Sequence, residues 1–141
     1  MDGVRPADMS RNPIEVQKVI DDALITKGNV KARTGIQLAY TFDKLLVPGF
    51  CQQLQLPILL CHGTGDKCTE IQASLATFQR FGTPKEQKLF VRLPGLYHEL
   101  YNEVERDSVL EAMTEFCASG GTKFPTSFDV GEDRVMDMEL I

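Results

Sequence analysis

Two short stretches of the chain carry the residue types needed for proton-transfer chemistry. In LPILLCHGTGDKCTE, residues 56–70, a solid apolar run stops at a glycine-flanked turn that ends in a carboxylate, Asp66. In LFVRLPGLYHELYNE, residues 89–103, a second run turns at Pro94-Gly95 and then presents an imidazole, His98. A carboxylate that accepts a hydrogen bond from imidazole Nδ1–H fixes the tautomer and orients the ring. It also stabilises the imidazolium formed when Nε2 takes a proton. Either residue alone has a plainer use, because an Asp in a Gly-rich turn commonly closes the turn and a loop His commonly packs or faces water. The informative combination is Asp followed by His, each just past the end of an apolar run.

The elements that must position this pair are legible around it. LPILLCH, about 56–62, is apolar on both faces, which suits a strand covered on both sides as in a parallel sheet. KLFVRL, 88–93, is the next strand. Between them Thr69 and Gln72 form a capping box, Ile71, Leu75 and Phe78 make a helical stripe, and Gly82 and Pro84 stop it. Such a strand–helix–strand unit is expected to be a right-handed parallel crossover. In open α/β sheets active groups collect beyond the carboxyl ends of the strands, so Asp66 and His98 are expected at one sheet edge. Gly63 and Gly65 are expected to let the chain turn tightly toward that edge.

Upstream, Asn12, Pro13 and Glu15 read as an N-cap, a first helical residue and a capping box. Val16, Val19, Ile20, Ala23 and Leu24 then follow at helical spacing. TKGNVKAR breaks that helix. A second starts near Thr34 with Leu38, Phe42 and Leu45 on one side and ends at Pro48-Gly49. A last helix runs from about Glu103 to Ala118 with Val109, Leu110, Met113, Phe116 and Cys117 inward. The division is a loose lead-in at 1–11, an α/β domain at 12–118 and an acidic extension at 119–141, of which RVMDMELI could dock on the domain. Two parallel strands alone leave apolar faces and edges uncovered, so this α/β unit reads as part of a larger sheet.

Composition removes several classes. A net charge of −5 opposes binding to nucleic acid, which needs a positive field. No run approaches the roughly 18 apolar residues of a membrane span. The start, MDGVRPADMSRNP, lacks a secretory apolar region. The four cysteines, Cys51, Cys61, Cys68 and Cys117, are sparse and read as free thiols, which favours a reducing, cytoplasmic setting. Cys61, His62, Asp66 and Cys68 are zinc-type ligands. Cys61 and His62 are adjacent, however, and point to opposite faces of a strand, so this set is not expected to hold a metal. No cofactor is expected.

PILLCHGTGDKCT followed by LPGLYHELYNE resembles the C-terminal half of an α/β-hydrolase of the monoacylglycerol lipase and lysophospholipase branch. That branch carries P-hydrophobic-L-x-x-H/Q-G-x-x-D at its acid and G-x-x-H at its histidine. SRNP…VIDDALITKGNVKARTG resembles the segment leading out of the lid region in the same branch. This places 12–33 at the end of that region and 34–118 in the core. The resemblance covers about Ser10 to Ala118. It implies a lipid-like ester substrate, Asp66 as the triad acid and His98 as the triad base. It also implies an expected deficiency. The superfamily places a Ser in a G-x-S-x-G elbow ahead of the acid, and none of Ser10, Ser74, Ser108, Ser119 or Ser127 has that setting. The N-terminal half, with its nucleophile, is expected to be absent and the chain inactive by itself. A remnant or interaction protein needing a partner is the alternative.

Overall fold

The computed structural model describes residues 4–26 and 28–127 and the backbone of 137–139. Its elements in chain order are α1 (Pro6–Met9), α2 (Pro13–Asp21), α3 (Ala32–Leu46), β1 (Ile58–Gly63), α4 (Ile71–Gln79), β2 (Lys88–Leu93), α5 (Arg106–Ala118) and β3 (Asp137–Glu139). Strands β1 and β2 pair in parallel in the register Ile58 to Lys88 through Gly63 to Leu93. Their carboxyl ends therefore finish level, which is the property that the pairing of Asp66 and His98 requires. The backbone of β3 adds antiparallel to the other edge of β2, with Met138 opposite Val91. Of the acidic extension, residues 137–139 pair with the sheet, and the remaining residues after 127 lie outside the described part.

The sheet is covered on both faces, as the unbroken apolar runs require. Leu89, Val91, Leu93, Leu96 and Leu100 pack with Val109 and Ala112 of α5, and Leu59 and Cys61 join from β1. On the opposite face Phe90 packs with Leu75 and Phe78 of α4, and Ile58 and Leu60 join them. The Phe78 and Phe90 rings meet edge to face at 5.5 Å between centroids, a preferred aromatic geometry. Lys88 is buried at the start of β2. Its Nζ reaches the carbonyl oxygens of Phe78, Gln79 and Phe81 at 3.1–3.4 Å. This satisfies the end of α4, where carbonyls lack helical partners and a cation suits the dipole.

Helix α3 differs. It has an apolar side, yet Ile36, Phe42 and Leu46 are each more than 60 % exposed and no residue of the helix is buried. It is tied at its end, where Arg80 Nη2 donates to the Leu46 carbonyl and Cys51 Sγ to that of Leu45. β1, at the open edge of the sheet, is likewise only half covered along Ile58–Cys61.

Several local expectations need correction. The lead-in is not loose where it is described. It forms α1, its Ser10 is buried, and the Met9 carbonyl accepts the Glu99 amide. Asn12 caps α2 through the Ile14 amide as expected, but the reciprocal half of the box is not made. The Asn12 amide goes to Ser10 Oγ, and Glu15 pairs with Lys18. Helix α4 is capped by Glu70, which accepts from the Gln72 amide, and not by Thr69. The Thr69 hydroxyl is committed to Asp66 instead. The last helix begins at Arg106, because 100–105 forms the loop that carries the site.

Candidate active site

The turn after β1 is bolted to the turn after β2. The Thr64 amide donates to the Leu93 carbonyl, the Gly65 amide to that of Leu96, and the Gly95 amide to Thr64 Oγ1. This contact is close enough to exclude side chains. A Cβ at Gly63 would sit 2.6 Å from both the Leu96 carbonyl carbon and the Tyr97 carbonyl oxygen, against backbone that cannot yield. One at Gly65 would sit 3.0 Å from the Gly95 carbonyl oxygen. Neither glycine has a positive φ, so both are required for space and not for the dihedral freedom expected of them. The left-handed residue is Gly95, at φ 70°, which makes the β2 turn.

These turns deliver Asp66 and His98 to one point. His98 Nδ1 lies 2.9 Å from Asp66 Oδ2. The Asp66 side chain is 5 % exposed and that of His98 is 35 % exposed. Four other donors or partners surround the carboxylate. Oδ1 accepts the amides of Cys68 at 2.7 Å and Thr69 at 3.0 Å, and Oδ2 also accepts the Thr69 hydroxyl at 2.6 Å. Burial opposes ionisation of Asp66. The bonds from the Thr69 hydroxyl, His98 and the two amides outweigh it and hold the carboxyl at about 2. An ionised carboxylate only accepts, so His98 Nδ1 carries the hydrogen and Nε2 is the proton-accepting end of the neutral ring. The fourth neighbour is His62, whose Nε2 lies 3.3 Å from Asp66 Oδ2. The His62 side chain is buried, and its Nε2 makes no hydrogen bond among the described residues.

The loop bearing His98 is fixed from below by a buried acid. Glu103 is fully buried and accepts the Tyr97 amide at 2.8 Å, the Arg11 amide at 3.2 Å and Arg11 Nε at 2.8 Å. Arg11 Nη2 also bonds Glu105. The Ser10 hydroxyl donates to the Asn102 carbonyl. The N-terminal segment is thereby stitched to the 97–103 loop, and a cavity of about 770 Å³ opens beside it, walled by Val4, Met9, Val19, Ile20, Ile25 and Glu99 among others. Tyr97 does not line it but stacks under Lys67 Nζ, and Tyr101 is exposed. Sequence reasoning gave Thr69, His62 and Glu103 other roles and did not single out Arg11. The one signal available for Glu103 was an acid directly before Val104 in LYNEV.

A family model described as serine aminopeptidase, S33, matches residues 2–105. The chain belongs to this α/β-hydrolase family. Within the S33 family it is 30 % identical over 111 residues to the monoacylglycerol lipase of Mycolicibacterium smegmatis, covering 79 % of this chain and 38 % of that protein. It is 28 % identical over 107 residues to phospholipase YtpA of Bacillus subtilis, covering 76 % and 40 %. It is 30 % identical over 96 residues to the monoglyceride lipase of Rattus norvegicus, covering 68 % and 30 %. The chain thus spans two fifths or less of the length of these relatives. The crystal structure of Paleococcus ferrophilus monoacylglycerol lipase superposes with a TM-score of 0.68 at 23 % identity, over 84 % of this chain and 44 % of that one. The fold is the α/β-hydrolase fold in part, with the two parallel strands and flanking helices expected. No helix among the described residues is long and apolar enough to cross a membrane.

Proposed function

We propose that this chain carries the acid–base arm of a carboxylic-ester hydrolase acting on monoacylglycerol- or lysophospholipid-like substrates, and that it has negligible hydrolytic activity by itself. The observation that carries the reading is the 2.9 Å contact from His98 Nδ1 to a carboxylate held at about 2. Asp66 stays ionised across the working pH range and orients the ring. His98 Nε2 takes the proton of an attacking serine hydroxyl and later returns one to the leaving alcohol. The serine attacks the ester carbonyl, the acyl–oxygen bond breaks, and water hydrolyses the acyl-enzyme by the same proton path. The G-x-S-x-G elbow that would supply this serine does not occur in the 141 residues. The apolar cavity beside Glu99 suits an acyl chain, and the printed activities of the lipase and phospholipase relatives agree with a lipid ester.

The reading is tested by complementation. The chain alone should not turn over monoacylglycerol. Mixed or fused with the nucleophile-bearing remainder of the Mycolicibacterium smegmatis relative, it should, and His98→Ala should lower the rate by at least about 10⁴-fold. Turnover that survives His98→Ala at the parental rate refutes the role given to His98. The bare apolar side of α3 and the open edge of β1 also favour a second reading, in which the chain needs a protein partner without being an enzyme. Under that reading complementation restores folding but no turnover.

A further inference from the structure

We infer that Asp66, Cys68 and His98 together form a site for a thiophilic divalent cation of the zinc type, and that occupancy takes His98 out of proton transfer. One donor atom from each side chain lies within 4.8 Å of the other two. This set differs from the one suggested by the sequence. It draws His98 from the end of β2 in place of Cys61, which lies in the core on the α5 face. Thiolate sulfur, imidazole nitrogen and carboxylate oxygen are the donors zinc takes, at about 2.0–2.3 Å, so the cluster closes around an ion by rotation of side chains.

Two of the three ligands are already held in place. The Cys68 amide donates to Asp66 Oδ1, which fixes the spacing of acid and thiol within one turn. His98 is brought from the other strand by the bolted turns described above. A separate observation points into the same spot. The His62 side chain is 7 % exposed, its Nε2 lies 3.3 Å from Asp66 Oδ2, and that nitrogen makes no hydrogen bond among the described residues. Buried polar atoms are nearly always partnered, and a cation on Asp66 would bring the charge of the locus into balance.

The surrounding field favours a cation. Burial first, and then the charges of Asp66, Asp8 and Glu99, push the pKa of the Cys68 thiol up. Arg5 and Lys67 are both committed to neighbouring groups. Arg5 pairs with Asp8 at 2.6 Å, while Lys67 Nζ lies 3.7 Å from Asp8 and 3.1 Å from Tyr97 Oη. Met9 Sδ, 3.6 Å from Cys68 Sγ, adds a second soft sulfur. On binding, the Cys68 S–H bond breaks, a sulfur–metal bond forms and the proton passes to buffer. The His98 ring gives up its hydrogen bond to Asp66, its proton shifts from Nδ1 to Nε2 through solvent, and the freed Nδ1 lone pair binds the ion. Hard cations such as Mg²⁺ prefer all-oxygen sites and are not accommodated.

The test is a titration of the 141-residue chain with Cd²⁺, read by the ultraviolet thiolate-to-cadmium band, and with Zn²⁺ by calorimetry. The expected result is one equivalent bound, with no response to Mg²⁺. Cys68→Ala should abolish the cadmium band, and Asp66→Asn should weaken binding by roughly 10- to 100-fold. Cys117→Ala, at an exposed thiol, should change nothing. A band that survives Cys68→Ala, a band lost in Cys117→Ala, or no binding by the parent chain overturns the site. Cys68→Ser, with circular dichroism matched to the parent, separates loss of a ligand from loss of fold. Binding does not depend on the hydrolase reading, whereas its inhibitory consequence does. Zn²⁺ should therefore suppress turnover in the complemented enzyme, and turnover unaffected at saturating Zn²⁺ refutes the consequence.

Discussion

Asp66 ties the chemistry of the site to the stability of the fold, and the linkage can be worked through. Its carboxyl falls from an ordinary 3.8 to about 2 in the folded chain. At 1.36 kcal/mol per pKa unit, that difference is worth about 2 kcal/mol of folding free energy. The folded state holds the lower value, so as pH falls the unfolded chain binds the proton first. The stabilisation is complete above about pH 4 and is lost progressively toward about pH 2. The perturbation is Asp66→Asn, which cannot ionise. Urea unfolding of parent and variant is compared from about pH 5 down to about pH 2. Other carboxylates titrate in both proteins and cancel in the difference. The stability gap between parent and variant should therefore shrink by about 2 kcal/mol across that range. The donors responsible are Thr69, His98 and the amide of Cys68, so Thr69→Ala should remove part of the same gap. A gap that stays constant with pH would show that the carboxylate is not held as described, and the orienting role of Asp66 would lose its physical basis.

Two further outcomes follow from the supports of the site. Glu103→Gln keeps the size of the side chain but takes from the Arg11 guanidinium its fully buried carboxylate partner and leaves it only Glu105. The urea midpoint should fall by the equivalent of about 3 kcal/mol with an unchanged slope, and a loss under about 0.5 kcal/mol would refute the clamp. Gly63→Ala drives a methyl group into the Leu96 carbonyl and should cost about 3 kcal/mol, read as a lowered melting temperature, whereas Gly35→Ala, where a Cβ meets nothing, should not. Equal melting temperatures for the two variants would show that the turns are not packed as tightly as described.

The parts of the molecule that were legible are those whose cause is local. LPILLC and the LFV of KLFVRL are apolar at successive positions without alternation, which suits a strand buried on both faces. The order of Asp66 and His98 after those strands then placed the pair, since level parallel strands leave their ends no other arrangement. What escaped was long-range. Ser10 reaches Asn102, and Arg11 reaches Glu103, across 92 residues of sequence. No periodicity marks such partners. Thr69 was assigned to a helix cap because a hydroxyl before a helix usually serves there. The nearer carboxylate of Asp66 took it, and Glu70 filled the cap. The glycines of the acid's turn were correctly singled out for the wrong cause, because the crowding that demands them comes from residues 95–97 and is invisible from residues 63–65 alone.

The uncovered side of α3 has a thermodynamic consequence. Apolar surface that is wet in both the folded and unfolded states adds nothing to the heat-capacity change of unfolding, which arises from apolar surface newly hydrated. With Ile36, Phe42 and Leu46 already in water, this chain has a smaller heat-capacity change than its length implies. Its stability varies correspondingly little with temperature. Whatever covers α3 will announce itself by a negative heat-capacity change of association.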